Sequence, residues 1–359
     1  MQMQVGWTDG MSAPIKIVVI GLGWIGRKHA TLISSSDQCV LAGVCDVDLS
    51  HQSYAEQIGV PFYDNVSELI SAVQPDGAVI ATPNSHHFSV AQICARRKVD
   101  ILIEKPIADT IVQSQRIVDV TKEQDVHVVI GHHRRHSPFI QMAKSVVENG
   151  ELGKLVGAMM LWTLMKPADY FDVNWRTTRP GGGPMLINLI HEIDILRFVC
   201  GEIRQVFAHA SSENRNLEVE DSLSISLSFE NGALGNIFAS DSVPSPWSYE
   251  ATTRENPHYF YSEENCYQFF GTNGALAVPG MEIWKYTSGS STGWQYPLEK
   301  NSLEVSQEDP LHSQLDHFCR VIRGEESSLI NAEDGMRTLV TAHAVLESAE
   351  KQMPVEITH

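Results

Sequence analysis

The run Ile15-Lys-Ile-Val-Val-Ile20, followed at once by Gly21-Leu-Gly23-Trp-Ile-Gly26, decides the fold of this chain. A stretch that is apolar at nearly every position reads as a strand buried on both faces, the signature of a parallel sheet. G-x-G-x-x-G directly behind such a strand, with a helix opening after it, is the arrangement that takes a dinucleotide pyrophosphate. Gly21 permits the tight turn, Gly23 lets backbone approach the phosphates, and Gly26 allows close packing of the helix. Trp24 and Ile25, between the second and third glycines, join them as cofactor-binding candidates ahead of a helix from about Gly26, whose N-terminal N–H groups and partial positive charge favour an anion. Asp46 closes the next apolar run about twenty residues further on, where a carboxylate accepts hydrogen bonds from a ribose 2′-hydroxyl and repels a 2′-phosphate. Val47 brings no compensating cation, so NAD is expected in preference to NADP.

Working outward, short apolar runs at 15–20, 40–45, 77–81, 101–103 and 126–130 alternate with helical spacing at 26–35, 87–97 and 110–123. Strand and helix in alternation imply a parallel sheet covered on both faces. Beyond residue 136 the texture changes. One amphipathic helix at 139–149 precedes alternating runs at 155–165, 203–211, 223–229 and 234–240, with hairpin signals such as Asn231-Gly232. Alternation means a sheet with one wet face, and short turns make it antiparallel. Residues 241–265, rich in proline and aromatics without a period, read as a loop, and helices return at 311–322 and 333–350. The expected organisation is α/β: a disordered leader at 1–13, a dinucleotide-binding Rossmann domain at 14–135, and a second α/β domain at 136–359 with a large, mainly antiparallel open sheet and C-terminal helices.

Composition narrows the partners. The 359 residues are 43% hydrophobic and 19% charged, and 26 Lys+Arg against 44 Asp+Glu give a formal charge of −18. That balance argues against non-specific binding to nucleic acid or anionic lipid, both of which need a positive surface. No apolar run reaches the ~18–20 residues of a membrane span, and the leader lacks a secretion signal. Six scattered cysteines without C-x-x-C spacing fit a reducing cytoplasm. His132, His133 and His136 lack a carboxylate partner in evidence, so no metal is expected. A small-molecule substrate is the expected partner.

Three further segments sharpen the picture: Ala81-Thr-Pro-Asn-Ser-His-His87, Glu104-Lys-Pro106, and Gly181-Gly-Gly-Pro-Met-Leu-Ile-Asn-Leu-Ile-His191-Glu-Ile-Asp194. In this order behind the glycine turn they closely resemble the Gfo/Idh/MocA oxidoreductases, which include glucose–fructose oxidoreductase and inositol dehydrogenases. The resemblance implies that Thr82, Pro83, Asn84 and His87 border the cofactor and that Glu104 and Lys105 reach its nicotinamide end. It further implies that the helix carrying His191 faces Lys105 across a cleft, and that the open sheet joins subunits into a homodimer or homotetramer. Physical reading agrees on the loops, since those after the fourth and fifth strands lie at the carboxyl edge where ligands of such sheets bind.

One departure stands out. The family carries an acid four residues before its catalytic histidine, and that position here is Ile187; Asn188, three residues before His191, is the nearest polar side chain. Being neutral, Asn188 can orient the ring or a substrate hydroxyl but cannot raise the imidazole's proton affinity as a carboxylate would. The expected chemistry is reversible oxidation of a secondary alcohol of a polyol, inositol, sugar or related cyclic substrate, with His191 as base, Lys105 stabilising the alkoxide and Asn188 assisting. His133, Arg134, Trp175 and Arg176 are looser candidates for substrate contact, with core packing an equal alternative for Trp175. Asp194 reads as a structural partner, toward Arg197 or a nearby loop. The competing functions are an NAD-recycling glycosidase or lyase and a non-catalytic NAD-sensing regulator.

Overall fold

The computed structural model describes residues 14–358, so the expected leader at 1–13 lies outside the described residues. The chain divides into two compact units. The first runs to Ala108 and adds Val112–Gly131 and Leu315–Ala332; the second comprises Asp109–Ile111, His132–Gln314 and the chain from Glu333 onward.

In the first unit, strands Ile15–Ile20 (β1), Cys39–Cys45 (β2), Phe62–Tyr63 (β3), Gly77–Ile80 (β4), Asp100–Ile103 (β5) and Val128–Ile130 (β6) form one parallel sheet. Its order, β3-β2-β1-β4-β5-β6, reverses direction between β1 and β4. That reversal is the switch point at which a crevice opens outside the strand ends. Helices Trp24–Ser35 (α1), Gln52–Ile58 (α2), Val66–Val73 (α3), His87–Arg96 (α4) and Ile111–Glu123 (α5) supply the crossovers. The core is built from Ile17, Val19, Val44, Val79, Leu102 and Val129, all inaccessible to solvent. Burying each such side chain stabilises the unit by about 1.5–3 kcal/mol. Leu315, Phe318, Cys319 and Val321 belong to the same cluster. Residues 315–332, which sequence order groups with the second domain, therefore pack in the first unit: Phe318 lies flat over Gly77, where a Cβ would stand 3.1 Å from its ring.

The second unit holds strands Leu155–Thr163 (β7), Ile203–Ser211 (β8), Ser222–Phe229 (β9), Leu234–Ser240 (β10), Tyr267–Gly271 (β11), Ala275–Val278 (β12), Glu282–Lys285 (β13), Glu299–Ser302 (β14) and Val355–Glu356 (β15). They form one sheet in the order β14-β13-β12-β11-β7-β10-β9-β8-β15, antiparallel except where β7 meets β10. One face buries Met160, Trp162, Ile225, Ile237 and Phe269. The other exposes Met159, Leu234, Phe238, Phe270 and Trp284. Helices Pro138–Glu148 (α6), Ile190–Cys200 (α7), Tyr249–Thr252 (α8) and Ala332–Lys351 (α10) complete this unit, while Pro310–Ile322 (α9) belongs mostly to the first. The segment expected to be a loop at 241–265 thus carries the single turn α8. Every residue of α7 is buried. A helix without a solvent face must pair each charge it carries, and Glu192, Asp194 and Arg197 are all paired.

Candidate functional site

The glycine turn shows three different reasons for its three glycines. Gly21 has φ +94°, and a Cβ there would stand 2.6 Å from the Ala81 carbonyl, so the loops after β1 and β4 touch backbone to backbone. A Cβ on Gly26 would lie 1.8 Å from the Gly21 carbonyl oxygen, which brings α1 directly onto the turn. Gly23 faces open space. It is also the cap of α1, makes no side-chain cap bond, and is followed by no acid in the first turn. Uncapped N–H groups beside open space, with no acid in the helix's own first turn, suit a pyrophosphate. Trp24, 68% exposed, stands at the same helix start.

Asp46 follows β2 and is fixed from three sides. Its Oδ2 accepts the Leu22 N–H at 2.6 Å and lies 3.1 Å from His51 Nδ1, while Oδ1 accepts the Asp48 N–H at 2.9 Å. The carboxylate is thereby tied to the glycine turn itself. Further along the same edge, His87 is fully buried, with Nε2 2.9 Å from the Thr82 carbonyl and Nδ1 3.0 Å from that of Pro106. It braces the loop after β4 against the loop after β5, so its ring positions Thr82 rather than presenting a free nitrogen to a ligand. Burial pushes its imidazole below the usual range, and the carbonyl contacts pull the other way. Glu104 is buried too, 2.7 Å from His29 Nε2, and accepts the Lys105 N–H at 3.2 Å. This anchors the backbone of half-buried Lys105, ahead of a cis bond to Pro106.

In the second unit the His191 helix begins differently from the expectation. Met185–Leu189 is a wide π-type turn that runs into α7. Such turns add a residue relative to α-helical spacing, so counting back three or four from His191 does not fix which side chains share its face. The contacts do. Asn188 Oδ1 accepts from Lys166 Nζ at 2.9 Å. His191 is buried, with the ring of His133 at 5.1 Å and that of His132 at 5.8 Å.

Arg134 requires a correction. Expected among the substrate contacts, it is buried between Glu192 and Glu250, each at 2.6 Å, and lies 4.1 Å over the Tyr249 ring. Two carboxylates and an aromatic face already occupy its guanidinium, so its part is structural. Asp194 finds its partner in Arg135, through Nε at 2.8 Å and Nη2 at 2.7 Å, rather than in Arg197. Arg197 bonds Glu202 and Asp334 instead. Trp175 is 55% exposed, which removes the core-packing alternative, and the Arg176 guanidinium lies 5.7 Å from its ring. Among the described residues, no group of three His, Cys, Asp or Glu side chains is placed to hold a metal.

Both halves of this architecture match models of one family: residues 15–132 the model described as "Oxidoreductase family, NAD-binding Rossmann fold", and residues 144–357 its "C-terminal alpha/beta domain". The chain belongs to the Gfo/Idh/MocA oxidoreductase family. As a member it is an NAD(P)-binding oxidoreductase, and the resemblance carried by Glu104-Lys105-Pro106 and the His191 segment is thereby met. Among its relatives is the myo-inositol 2-dehydrogenase of Thermotoga maritima, 25% identical over 96% of this chain and 98% of that one. The scyllo-inositol 2-dehydrogenase (NAD(+)) of Bacillus subtilis is 23% identical over 97% of both. In fold, a crystal structure of a Desulfitobacterium hafniense oxidoreductase described as NADPH-dependent superposes with a TM-score of 0.81 at 21% identity, covering 96% of this chain and 98% of that one. No helix among the described residues is long and apolar enough to cross a membrane.

Sequence reasoning missed the buried ions Lys166, Asp241 and Glu192 and their partly buried partners Arg215 and Glu250. One signal was present. Lys166-Pro167 ends the alternating run at 155–165 just as Lys105-Pro106 follows β5, and a lysine fixed between a strand and a proline merits the same attention in both places.

Proposed function

We propose that this family member oxidises a secondary alcohol of a polyol, inositol, sugar or related cyclic substrate, with NAD as the preferred coenzyme. The observation that carries the reading is the edge of the first unit's sheet. There an uncapped helix start, a carboxylate at Asp46 suited to a ribose and the Glu104–Lys105 pair follow β1, β2 and β5 of one parallel sheet. Preference for NAD follows from Asp46: its carboxylate is held in place by backbone N–H groups, and exposed Val47 beside it offers no cation to a 2′-phosphate.

When bound, the oxidised nicotinamide accepts a hydride. The protein's residues handle the proton: His191 removes it from the substrate hydroxyl, and the Lys105 ammonium stabilises the alkoxide that develops. Asn188 presents an amide donor to the substrate in place of the family's acid. Thr82, Pro83 and Asn84 border the coenzyme in this reading, with His87 bracing them, and His133, Trp175 and Arg176 stand as substrate contacts. The decisive experiment is a panel of cyclic polyols and sugars with NAD and NADP, followed by nicotinamide absorbance. Turnover with at least one of them, faster with NAD, is expected. A flat response with tight NAD binding would replace this reading with that of a coenzyme-sensing regulator.

The exposed sheet face of the second unit supports association into a homodimer or homotetramer, because contiguous apolar side chains on open strands are costly to leave in water. The six cysteine thiols of the chain, all buried, suit a reducing cytoplasm. Phe238→Lys combined with Phe270→Lys is expected to yield monomers in light scattering. A wild-type chain that is already monomeric would dismiss the assembly.

A further inference from the structure

Beside the His191 helix lies a group of cations of which only Arg176 has been given a part above. Lys166 is only 8% exposed, yet its Nζ lies 3.5 Å from Asp241, which is already bonded at 2.6 Å to Arg215 Nε. One carboxylate therefore serves two cations. Glu250, the next acid felt by Lys166, is committed to Arg134 at 2.6 Å and to Trp162 Nε1 at 3.0 Å. The third cation is half-buried Arg176, held by the Tyr170 carbonyl at 3.0 Å, with no carboxylate in ion-pair range among the described residues. Tyr170 joins the set. Lys166 Nζ and the Arg176 guanidinium each stand 4.3 Å from the centre of its ring.

Two physical consequences follow. Burial pulls the Lys166 ammonium down to about 8 even though Asp241 opposes the shift, the mark of a cation whose lost hydration is only partly replaced. An ammonium can only donate, so the Asn188 atom facing it is the carbonyl oxygen, and the Asn188 amide nitrogen turns its two donors elsewhere. Ammonium, guanidinium and amide donors around one tyrosine, with Lys166 sharing its carboxylate and Arg176 holding none, suit an anion.

We propose that Lys166, Arg176 and the Asn188 amide form a carboxylate-binding subsite, so that the substrate is a polyhydroxylated acid of the aldonic or uronic kind rather than a neutral polyol. The inference rests on the dehydrogenase reading for its place beside His191, and it narrows the substrate class of that reading. Lys166 supplies the buried charge. Arg176 supplies a planar donor pair from the exposed side, and Asn188 orients the acid toward the helix.

The test is calorimetric titration of the full chain, with and without NADH, using D-glucuronate and its neutral isostere D-glucuronamide. Glucuronate is expected to bind about tenfold or more tightly than the amide, with affinity falling as salt rises. Lys166→Met and Arg176→Met should each erase most of that preference, and Lys166→Arg should restore part of it. Unchanged melting temperature and NADH affinity would show that the variants fold; Arg176, being only half-buried, is the safer of the two. Equal binding of acid and amide, no binding of glucuronate, or a preference that survives both replacements would overturn the subsite. Oxidation of neutral polyols without carboxylate binding would leave the dehydrogenase standing and remove only this inference. Failure to bind NADH would do the reverse, since the acid-against-amide comparison is also made without coenzyme.

Discussion

Replacing His191 with alanine is expected to cut turnover by about two to four orders of magnitude while the dissociation constant for NADH stays within about twofold. The size follows from the role. A positioned base contributes on that scale because the hydroxyl proton must leave as the hydride does, and water is a poor substitute. The selectivity follows from the chain's division into units. Every feature assigned to the dinucleotide, from Gly21 and Asp46 to Thr82 and Lys105, belongs to the first compact unit, and His191 belongs to the second. Because α7 is buried along its whole length, the alanine also leaves a cavity, and a fall in melting temperature of a few degrees is expected alongside. Steady-state kinetics, coenzyme titration and a melting curve on one preparation separate the three effects. Turnover kept with NADH binding lost would place His191 at the coenzyme and not at the substrate.

How far the sequence alone could have led differs between the two halves of this site. The glycine turn was legible because its demands are local: Gly21 and Gly26 are required by atoms within the turn and the adjacent strand, and Asp46 is fixed at the end of a run apolar enough to read as β2. Strands β7 to β10 were legible because they alternate over seven residues or more. Strands β11 to β14 have five residues or fewer, too short for a period to stand out, and α2 buries only Ala55, which leaves no apolar face to detect. The sheet is mainly antiparallel as expected, but nothing in the sequence marks the parallel meeting of β7 and β10, since pairing between distant strands leaves no mark on either. The same limit hid the ions around α7. Lys166 and Asn188 are 22 residues apart, Arg135 and Asp334 are 199 apart, and no helix or strand spacing relates them. The π-type turn ahead of His191 was invisible for another reason: its residues are ordinary helix formers, and only the hydrogen-bond pattern departs from the α-helix.

The ion cluster behind that helix predicts the largest loss of stability. Arg135→Met is expected to cost about 3–5 kcal/mol, a sizeable part of the total ~5–15 kcal/mol of a folded domain. Arg135 grips Asp194 with two nitrogens and also bonds Asp334, so the replacement leaves buried Asp194 with the Thr338 hydroxyl as its close partner, while Asp334 keeps Arg197. It also releases the segment carrying His132 and His133 from the helix carrying His191, so catalysis should weaken with stability. The pH dependence has a definite sign. Burial alone would raise the Asp194 carboxyl, but the Arg135 guanidinium outweighs it and holds the group at about 2 against a usual 3.8. In the wild type this contribution is complete above 3.8 and is lost as pH falls through about 2. Without the arginine, burial is opposed only by more distant His132 and Arg197, so the folded-state value is expected to rise and the variant to be penalised most at neutral pH, recovering as Asp194 takes up a proton. The stability gap in urea between wild type and variant should therefore narrow between pH 7 and pH 5, and adding Asp194→Leu to Arg135→Met should recover part of the loss at pH 7. A gap that is below about 1 kcal/mol, or constant with pH, would mean that Asp194 and Asp334 find other partners and that the pair does not hold the helix.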